Sequence, residues 1–263
     1  MSARPLGLVT GASSGIGWSI ARALASRGYD LVVVARRVDK LHELAQSLSS
    51  TCSVTVDVVG ADLGTVEGVS HCLQALGDRA FDVVVNNAVA GWIGEFADAP
   101  ADRQTEIVDV NCRALIAITR HVLPGMIARH RGRLLQVASV AGFMPGPLSS
   151  TYYASKAFVV SHSEALRHEL AGSGVTLTLT CPGPVATEFQ RSSGVTGVMG
   201  GAAMMSDVDV AEISVDAMLR GRFLVVPGPA NRLLVALSAI LPRRLQAFFV
   251  ARIQRARLQS PAV

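Results

Sequence analysis

The chain has 263 residues, half of them hydrophobic and 17% charged, so it is long enough to bury the core of one α/β domain. No stretch reaches the roughly 20 apolar residues that a membrane-spanning helix needs, and Gly11 interrupts the N-terminal apolar run too early for a signal peptide. Four widely spaced cysteines show neither disulfide nor metal spacing, which predicts reduced thiols, no metal site and a cytoplasmic location.

The excess basic charge is confined to the C-terminal segment. Of the 24 basic residues, six are arginines beyond position 230, where no acidic residue occurs. Subtracting those six leaves 18 basic residues against 20 acidic ones in the rest of the chain. The high overall pI is therefore no argument for nucleic-acid binding, and we predict no nucleic-acid partner.

Short apolar, β-branched runs alternate along the chain with longer stretches of helical periodicity. Strands are predicted at 6–10, 30–35, 53–57, 82–86, 133–138, 175–180 and 223–226. Helices are predicted at 15–27, 38–49, 65–76, 102–129, 152–171 and 208–220. Apolar strands that alternate with helices are typical of a parallel sheet covered on both faces. The predicted fold class is α/β: a single doubly wound sheet of about seven strands, with helices on both faces and a C-terminal helical extension.

A glycine-rich turn follows the first predicted strand and opens the first helix. It reads Thr-Gly-Ala-Ser-Ser-Gly-Ile-Gly over residues 10–17. Glycines allow a tight turn and let the backbone approach a pyrophosphate at the positive end of the helix. An ordinary glycine-rich turn is the alternative, but the position after the first strand favours dinucleotide binding. The predicted contacts are Gly11, Ser13, Ser14, Gly15, Ile16 and Gly17.

The second predicted strand is followed by Arg36 and Arg37, with no acidic residue before Asp39. Enzymes of this topology that use NAD carry an acid here for the ribose 2′-hydroxyl, whereas an arginine accommodates a 2′-phosphate. A solvated charge pair at a helix start is the alternative, above all for Arg37. The pattern favours NADP(H) over NAD(H).

Four further polar residues have spacings that suit catalysis. Tyr152 and Lys156 lie four positions apart at the start of a predicted helix, so they share one helix face. Ser139 follows the fifth strand, and Asn111 falls within the long helix predicted at 102–129. Tyr153 is a rival to Tyr152, but its spacing to Lys156 is three residues, so we predict packing or substrate contact for it.

With these motifs the chain resembles the short-chain dehydrogenase/reductase superfamily over about residues 5–226. The resemblance rests on the glycine-rich turn, Asp62, the Asn-Asn-Ala at 86–88, Asn111, Ser139, the Tyr152/Lys156 pair and residues 182–187. It implies a Rossmann-like, NADP-binding catalytic domain at 1–229. One position departs from the family pattern: Val89 stands where the family usually has glycine, and we expect it to tighten or slightly displace the cofactor.

The resemblance also implies a role for each matching residue. Tyr152 would be the acid/base, Ser139 would bind the substrate oxygen, and Lys156 would hold the nicotinamide ribose. Asn111 would hold a water in the proton relay. Further cofactor contacts are implied for Asp62, Leu63, Asn87, Ala88, Lys156, Pro182, Gly183, Val185 and Thr187.

The loops expected to wall the substrate pocket are apolar. They carry Trp92, Phe96, Phe143, Met144, Leu148, Phe189, Met199, Met204 and Met205. Such walls favour a lipid-like, steroid-like or polyketide-like substrate, with packing beneath a lid as the alternative.

The extension at 230–263 combines an apolar run at 233–241 with a helical pattern of apolar residues and arginines. A basic amphipathic segment of this kind lies on an anionic membrane surface, covers a partner subunit, caps the active site or packs on its own domain. The family resemblance implies a homodimer or homotetramer.

The sequence therefore predicts an NADP(H)-dependent reductase of a ketone or aldehyde on a small apolar substrate. A dehydrogenase of a lipid-like or steroid-like secondary alcohol is one alternative. A non-catalytic NADP-binding scaffold is another, but a scaffold has no need of Asn111, Ser139, Tyr152 and Lys156 together.

Overall fold

A parallel β-sheet forms the centre of the molecule. The computed structural model describes residues 4–185 and 204–259, and within them seven strands pair in the order β3-β2-β1-β4-β5-β6-β7. The strands are β1 (Leu6–Thr10), β2 (Asp30–Ala35), β3 (Val56–Gly60), β4 (Val83–Asn86), β5 (Gly132–Val137), β6 (Val175–Thr180) and β7 (Leu224–Val225). In register, Val9 lies opposite Val33 of β2 and Val85 of β4.

Helices cover both faces of this sheet. They are α1 (Gly15–Ala25), α2 (Val38–Cys52), α3 (Val66–Leu76), α4 (Ala101–Val108), α5 (Leu115–Ala128), α6 (Ser150–Glu169), α7 (Asp207–Leu219), α8 (Pro229–Ser238) and α9 (Arg243–Gln259). Successive strand residues point to opposite faces, so Val32 and Val34 pack in the core beneath α3, α5 and α6, and Val33 packs beneath α1, α2 and α7. Burial on both faces explains the apolar strands, and the predicted fold class is confirmed.

Two predicted elements differ from the structure. The third strand was predicted at 53–57 and lies at Val56–Gly60, because α2 continues to Cys52 and Ser53 ends it with a left-handed φ of 53°. The helix predicted at 102–129 is α4 and α5 joined by a π-helical turn, Asp109–Ala114. A π turn contains one more residue than an α turn and is frequent at functional sites.

The C-terminal helices carry their apolar side chains on the outside. The predicted helical segment is present as α8 and α9, but α8 has no buried residue. In α9 the buried positions include Gln246 and Gln254, whereas Phe248, Phe249 and Ile253 are exposed. Among the helices of the described ranges, none combines the length and apolar character needed to cross a membrane. The division at residue 229/230 stays a prediction.

Candidate active site

A cavity of about 340 Å³ lies at the carboxyl edge of the sheet. Its walls come from the loops after β1, β2, β3, β4, β5 and β6, together with α6 and α9. In the sheet, β1 lies between β2 and β4. The connections leave the sheet in opposite directions at this point, which opens the crevice where doubly wound proteins bind their ligands.

The glycine-rich turn lies at one side of this cavity. Gly11 and Gly15 have φ angles of 67° and 55°, which favour glycine. A Cβ atom on Gly17 would lie 2.3 Å from the Gly11 carbonyl oxygen and from Asn87 Nδ2, so no side chain fits there. Helix α1 begins at Gly15, and the Ser14 side chain makes no capping hydrogen bond. The uncapped helix start and the close backbone approach fit the diphosphate of a dinucleotide.

Thr10 ties this turn to the loop after β4, a role that the sequence analysis did not identify. Its Oγ1 accepts hydrogen bonds from the backbone N–H groups of Asn87 (3.0 Å) and Ala88 (3.1 Å). Asn87 Nδ2 in turn donates to the Thr10 carbonyl oxygen at 2.9 Å. The predicted contacts Asn87 and Ala88 are therefore fixed against the turn. A polar residue at the end of an apolar strand was the available signal.

Arg37 lies over the glycine-rich turn. Its Nη2 donates to Ser14 Oγ at 2.8 Å and to Ser13 Oγ at 3.2 Å. All of these predicted contacts line the cavity. A cation beside two hydroxyl groups is a suitable environment for a phosphate group.

Arg36 also lines the cavity, and it forms an ion pair with Glu106. The sequence analysis did not predict this ion pair. Arg36 Nη1 lies 3.0 Å from Glu106 Oε1, and Glu106 also pairs with Arg103. Glu106 belongs to α4, seventy positions further along the chain. No local pattern in the sequence indicates this contact.

Of the remaining predicted cofactor contacts, all but Thr187 belong to the part of the chain that the structure describes. Asp62, Leu63, Pro182, Gly183 and Val185 line the cavity, as does Val89. Asp62 Oδ1 accepts from the Gly64 N–H at 3.0 Å, which orients the carboxylate. Thr187 lies outside the described residues.

The predicted apolar wall is only partly correct. The predicted wall segments were 89–96, 140–150 and 184–205, and Trp92 and Ile93 of the first one line the cavity. Six of the predicted wall residues are described by the structure but do not line the cavity: Phe96, Phe143, Met144, Leu148, Met204 and Met205. Phe143 packs instead against the core under α5 and α6. Phe189 and Met199 lie outside the described residues.

Ser139, Tyr152 and Lys156 meet on one wall of the cavity. Ser139 and Tyr152 share a side-chain hydrogen bond, and the Lys156 ammonium lies 5.9 Å from the centre of the Tyr152 ring. Lys156 is only 3% exposed, and its Nζ donates to the Val137 carbonyl oxygen at 2.9 Å. The spacing of four residues on α6 thus brings the phenol and the ammonium together, as predicted from the sequence.

Asn111 lies in the π turn, is 2% exposed and joins three segments. Its Oδ1 accepts from the Ala90 N–H at 2.8 Å, and its Nδ2 donates to the Ala90 carbonyl oxygen at 3.0 Å. Nδ2 also donates to Ser155 Oγ at 2.9 Å. Ser155 in turn donates to the Tyr152 carbonyl oxygen at 2.7 Å. Asn111 therefore connects the loop after β4 to the catalytic end of α6.

Burial moves the pKa values of the two catalytic groups in opposite directions. It raises the pKa of Tyr152 to about 12, although the hydrogen bond to Ser139 and the charge of Arg257 act against the rise. Burial lowers the pKa of Lys156 to about 8. Tyr152 is therefore protonated at neutral pH and able to donate a proton.

Gln254 and Arg257, both from α9, complete the wall beside the tyrosines. Gln254 Nε2 donates to the Tyr153 hydroxyl at 3.3 Å, and Arg257 Nη1 donates to Gln254 Oε1 at 3.1 Å. Both residues line the cavity. The sequence analysis left open that this segment caps the active site, but it did not identify these two residues, because periodicity alone does not show which side of the helix faces the protein.

The buried Lys156 makes the stability of the cofactor-free protein depend on pH. Its pKa is 10.5 in the unfolded chain and about 8 in the folded one, so between these values the unfolded chain binds more protons. Below about pH 8 the buried lysine is charged, which lowers the free energy of unfolding. This destabilisation disappears as the pH rises from about 8 to 10.5. We expect Lys156→Met to gain stability relative to wild type at pH 7, and the gain to shrink by up to about 3 kcal/mol at high pH.

Urea unfolding of the cofactor-free proteins at several pH values between 7 and 10 measures this difference. Lys40→Met is the matched control, because Lys40 is the other lysine of the chain and its side chain is 42% exposed. If the difference in the free energy of unfolding between wild type and Lys156→Met stayed constant with pH, the lowered pKa of Lys156 would be contradicted.

The sequence profile of the family described as short chain dehydrogenase matches residues 6–196. An uncharacterized oxidoreductase from Staphylococcus epidermidis is 33% identical over 188 residues, which cover 71% of this chain and 80% of that protein. A very-long-chain 3-oxoacyl-CoA reductase from Phaeosphaeria nodorum is 38% identical over 174 residues, which cover 64% of this chain and 51% of the reductase.

A solved structure has the same overall fold. The short-chain dehydrogenase from Sphingobium yanoikuyae in complex with NADPH superposes with a TM-score of 0.82 at 30% identity, and the match covers 90% of this chain and 93% of that one.

Proposed function

Because the chain belongs to the short-chain dehydrogenase family, we propose that this NAD(P)-dependent oxidoreductase uses NADP(H) to reduce a ketone or aldehyde of an apolar substrate to the alcohol. One observation carries the proposal. Ser139, Tyr152 and Lys156 line the same cavity as a turn that is shaped for a diphosphate. A hydride donor bound at that turn would reach a carbonyl held by the catalytic residues.

The nicotinamide cofactor, when bound, supplies the hydride. Tyr152 would give its proton to the substrate oxygen, since its raised pKa keeps the phenol protonated at neutral pH. Ser139, already hydrogen-bonded to Tyr152, would donate to the same oxygen and hold it in line. Two donors aimed at one oxygen stabilise the negative charge that develops there during reduction.

Lys156 and Asn111 would support this proton transfer. The Lys156 ammonium is fixed by the Val137 carbonyl oxygen and carries further N–H groups for the ribose hydroxyls of the cofactor. Its positive charge stabilises the phenolate that Tyr152 becomes after proton donation. Asn111, through Ser155 and the loop after β4, would keep α6 and the cofactor wall at a fixed distance.

Replacement of Tyr152 by phenylalanine tests the reaction. We expect Tyr152→Phe to lower kcat by about a hundred- to ten-thousandfold, because the proton donor is lost, while NADPH affinity changes little. The measurement is NADPH oxidation at increasing concentrations of hydrophobic ketones and aldehydes, with NADPH titrations in parallel. Tyr29→Phe is the control for the general loss of a hydroxyl, because Tyr29 does not line the cavity. Turnover of Tyr152→Phe at the wild-type rate would refute the acid/base assignment.

The charges at the adenosine end support NADP(H) over NAD(H). Arg36, Arg103 and Glu106 together carry one net positive charge, and Arg37 adds another next to Ser13 and Ser14. Glu106 is therefore neutralised by its two arginine partners and is not available to a ribose hydroxyl as a lone carboxylate. A 2′-phosphate bound between Arg37 and the two serines would gain charge-assisted hydrogen bonds.

We expect Arg37→Gln to weaken NADPH binding by about ten- to a hundredfold, because a hydrogen bond to a charged group is lost. NADH binding should change by less than about threefold, since NADH has no 2′-phosphate. Fluorescence titration of both cofactors measures the two constants, with Lys40→Gln on the same helix as control. Equal weakening of NADPH and NADH binding would show that Arg37 does not bind the 2′-phosphate.

The apolar part of the cavity supports a hydrophobic substrate. Trp92, Ile93 and Val140 line it together with Ala90 and Ala141. A dehydrogenase acting on a lipid-like or steroid-like secondary alcohol would use the same residues in the opposite direction. Cofactor preference and the equilibrium with each substrate separate the two directions, and a preference for NADP(H) favours reduction.

The exposed apolar surface of α8 and α9 supports contact with an anionic membrane. Ile240 is 81% exposed and Phe248 59%, and the arginines of the same segment have no acidic residue among them. Apolar side chains next to arginines match the acyl boundary and headgroups of such a surface. The homodimer or homotetramer implied by the family is the other arrangement that would cover this face.

Vesicle co-sedimentation distinguishes a membrane contact from a contact with a second copy of the chain. We expect the protein to bind vesicles rich in phosphatidylserine, and the doubly substituted Phe248→Glu/Phe249→Glu variant to bind them much less, because both apolar contacts are lost. Val66→Glu is the control, since Val66 is 64% exposed on α3. Absence of binding, together with dissociation of an oligomer in the double variant, would assign the surface to a second copy of the chain.

A further inference from the structure

Helix α9 turns a polar face toward the catalytic tyrosines. Gln254 is 2% exposed, and Arg257 lines the cavity one helical turn further along. Burial of an amide and a guanidinium costs free energy unless hydrogen bonds compensate it. The same helix leaves Phe248 and Phe249 in solvent, so core packing does not explain why it buries these polar groups.

The two residues form a connected network with Tyr153. Arg257 donates to Gln254, and Gln254 donates to the Tyr153 hydroxyl. The Tyr153 oxygen thus accepts a hydrogen bond, so its own proton is available to another acceptor. Tyr153 meets Tyr152 edge to face, with ring centres 6.0 Å apart. The network therefore ends on the ring that packs against Tyr152.

This wall is rich in hydrogen-bond donors and positively charged. Arg257 has five guanidinium N–H donors and no acceptor. Its charge acts on both tyrosines, lowering the pKa values of Tyr152 and Tyr153 against the larger effect of burial. Within residues 4–185 and 204–259, the acidic residues that line the cavity are Asp62 and Glu106, which belong to the adenosine end. The substrate end therefore favours a ligand group that accepts hydrogen bonds and is negatively charged.

We propose that Arg257 and Tyr153, held by Gln254, bind a carboxylate of the substrate, which is therefore an oxo acid with an apolar chain. Its ketone lies at Tyr152 and its carboxylate a few carbon atoms away at the α9 wall. Arginine suits this role because its planar fork of donors matches a carboxylate. The inference rests on the proposed reductase function and adds the polar group by which the substrate is recognised.

Paired substrates test the proposal. A series of oxodecanoates that differ in the spacing between ketone and carboxylate is compared with the corresponding methyl esters, which keep the ketone but lack the charge. We expect wild type to prefer one acid over its ester by about ten- to a hundredfold in kcat/KM. Arg257→Gln should abolish this ratio and Arg257→Lys restore part of it. Arg255→Gln, an exposed arginine of the same helix, should keep the wild-type ratio.

A binding measurement keeps the test independent of turnover. Decanoate, which has no ketone, is titrated by calorimetry into the enzyme–NADPH complex, with methyl decanoate as the neutral control. We expect decanoate to bind more tightly than its ester, and Arg257→Gln to remove that difference while NADPH affinity stays the same.

The possible failures are distinguishable. Tyr152-dependent reduction of neutral ketones without any preference for acids would overturn the carboxylate site and leave the reductase intact. Weakened NADPH binding in Arg257→Gln would assign the arginine to the cofactor and also overturn the site. Selective decanoate binding without reduction of any carbonyl compound would support the site and refute the proposed reaction.

Discussion

The geometry of the active site depends on one buried amide. Asn111 holds both backbone groups of Ala90 and the hydroxyl of Ser155, so the loop after β4 and the start of α6 cannot move independently. Tyr152 and Lys156 flank Ser155 on that helix, and Ala90 belongs to the cofactor wall. An amide with these partners is fully used by the protein in a dry interior, where such networks rigidify their surroundings.

Local pattern was enough to predict the sheet and most of the cavity. The bounds of β1, β2 and β6 agree with the predicted ones, because β1 and β2 are largely apolar runs and β6 alternates threonine with valine and leucine. The glycine-rich turn, Ser139, Tyr152 and Lys156 could be found because their roles depend on short spacings along the chain. Membership of the short-chain dehydrogenase family confirmed the resemblance on which their assignment rests.

Contacts between distant segments could not be predicted in this way. Glu106 of α4 meets Arg36, which follows β2, only in the folded chain, and no spacing in the sequence encodes that approach. The orientation of α9 is a second case. Its alternating apolar and basic residues predict an amphipathic helix correctly, but periodicity alone does not tell which side faces the protein. Gln254 and Arg257 were missed for this reason.

The π turn around Asn111 also limits how this protein can change during evolution. It contains one residue more than a regular helical turn, so a one-residue deletion within Asp109–Ala114 would restore an ordinary helix. Because the turn would lose only its extra residue, α4 and α5 would keep the faces that they bury, and the side chains of the turn itself would change direction. Asn111 could no longer reach Ala90 and Ser155, although nearly all of the hydrophobic core would survive. Length changes are therefore tolerated far better in the surface loops than at this position, and in relatives that have lost this residue we expect a different group to join the two walls.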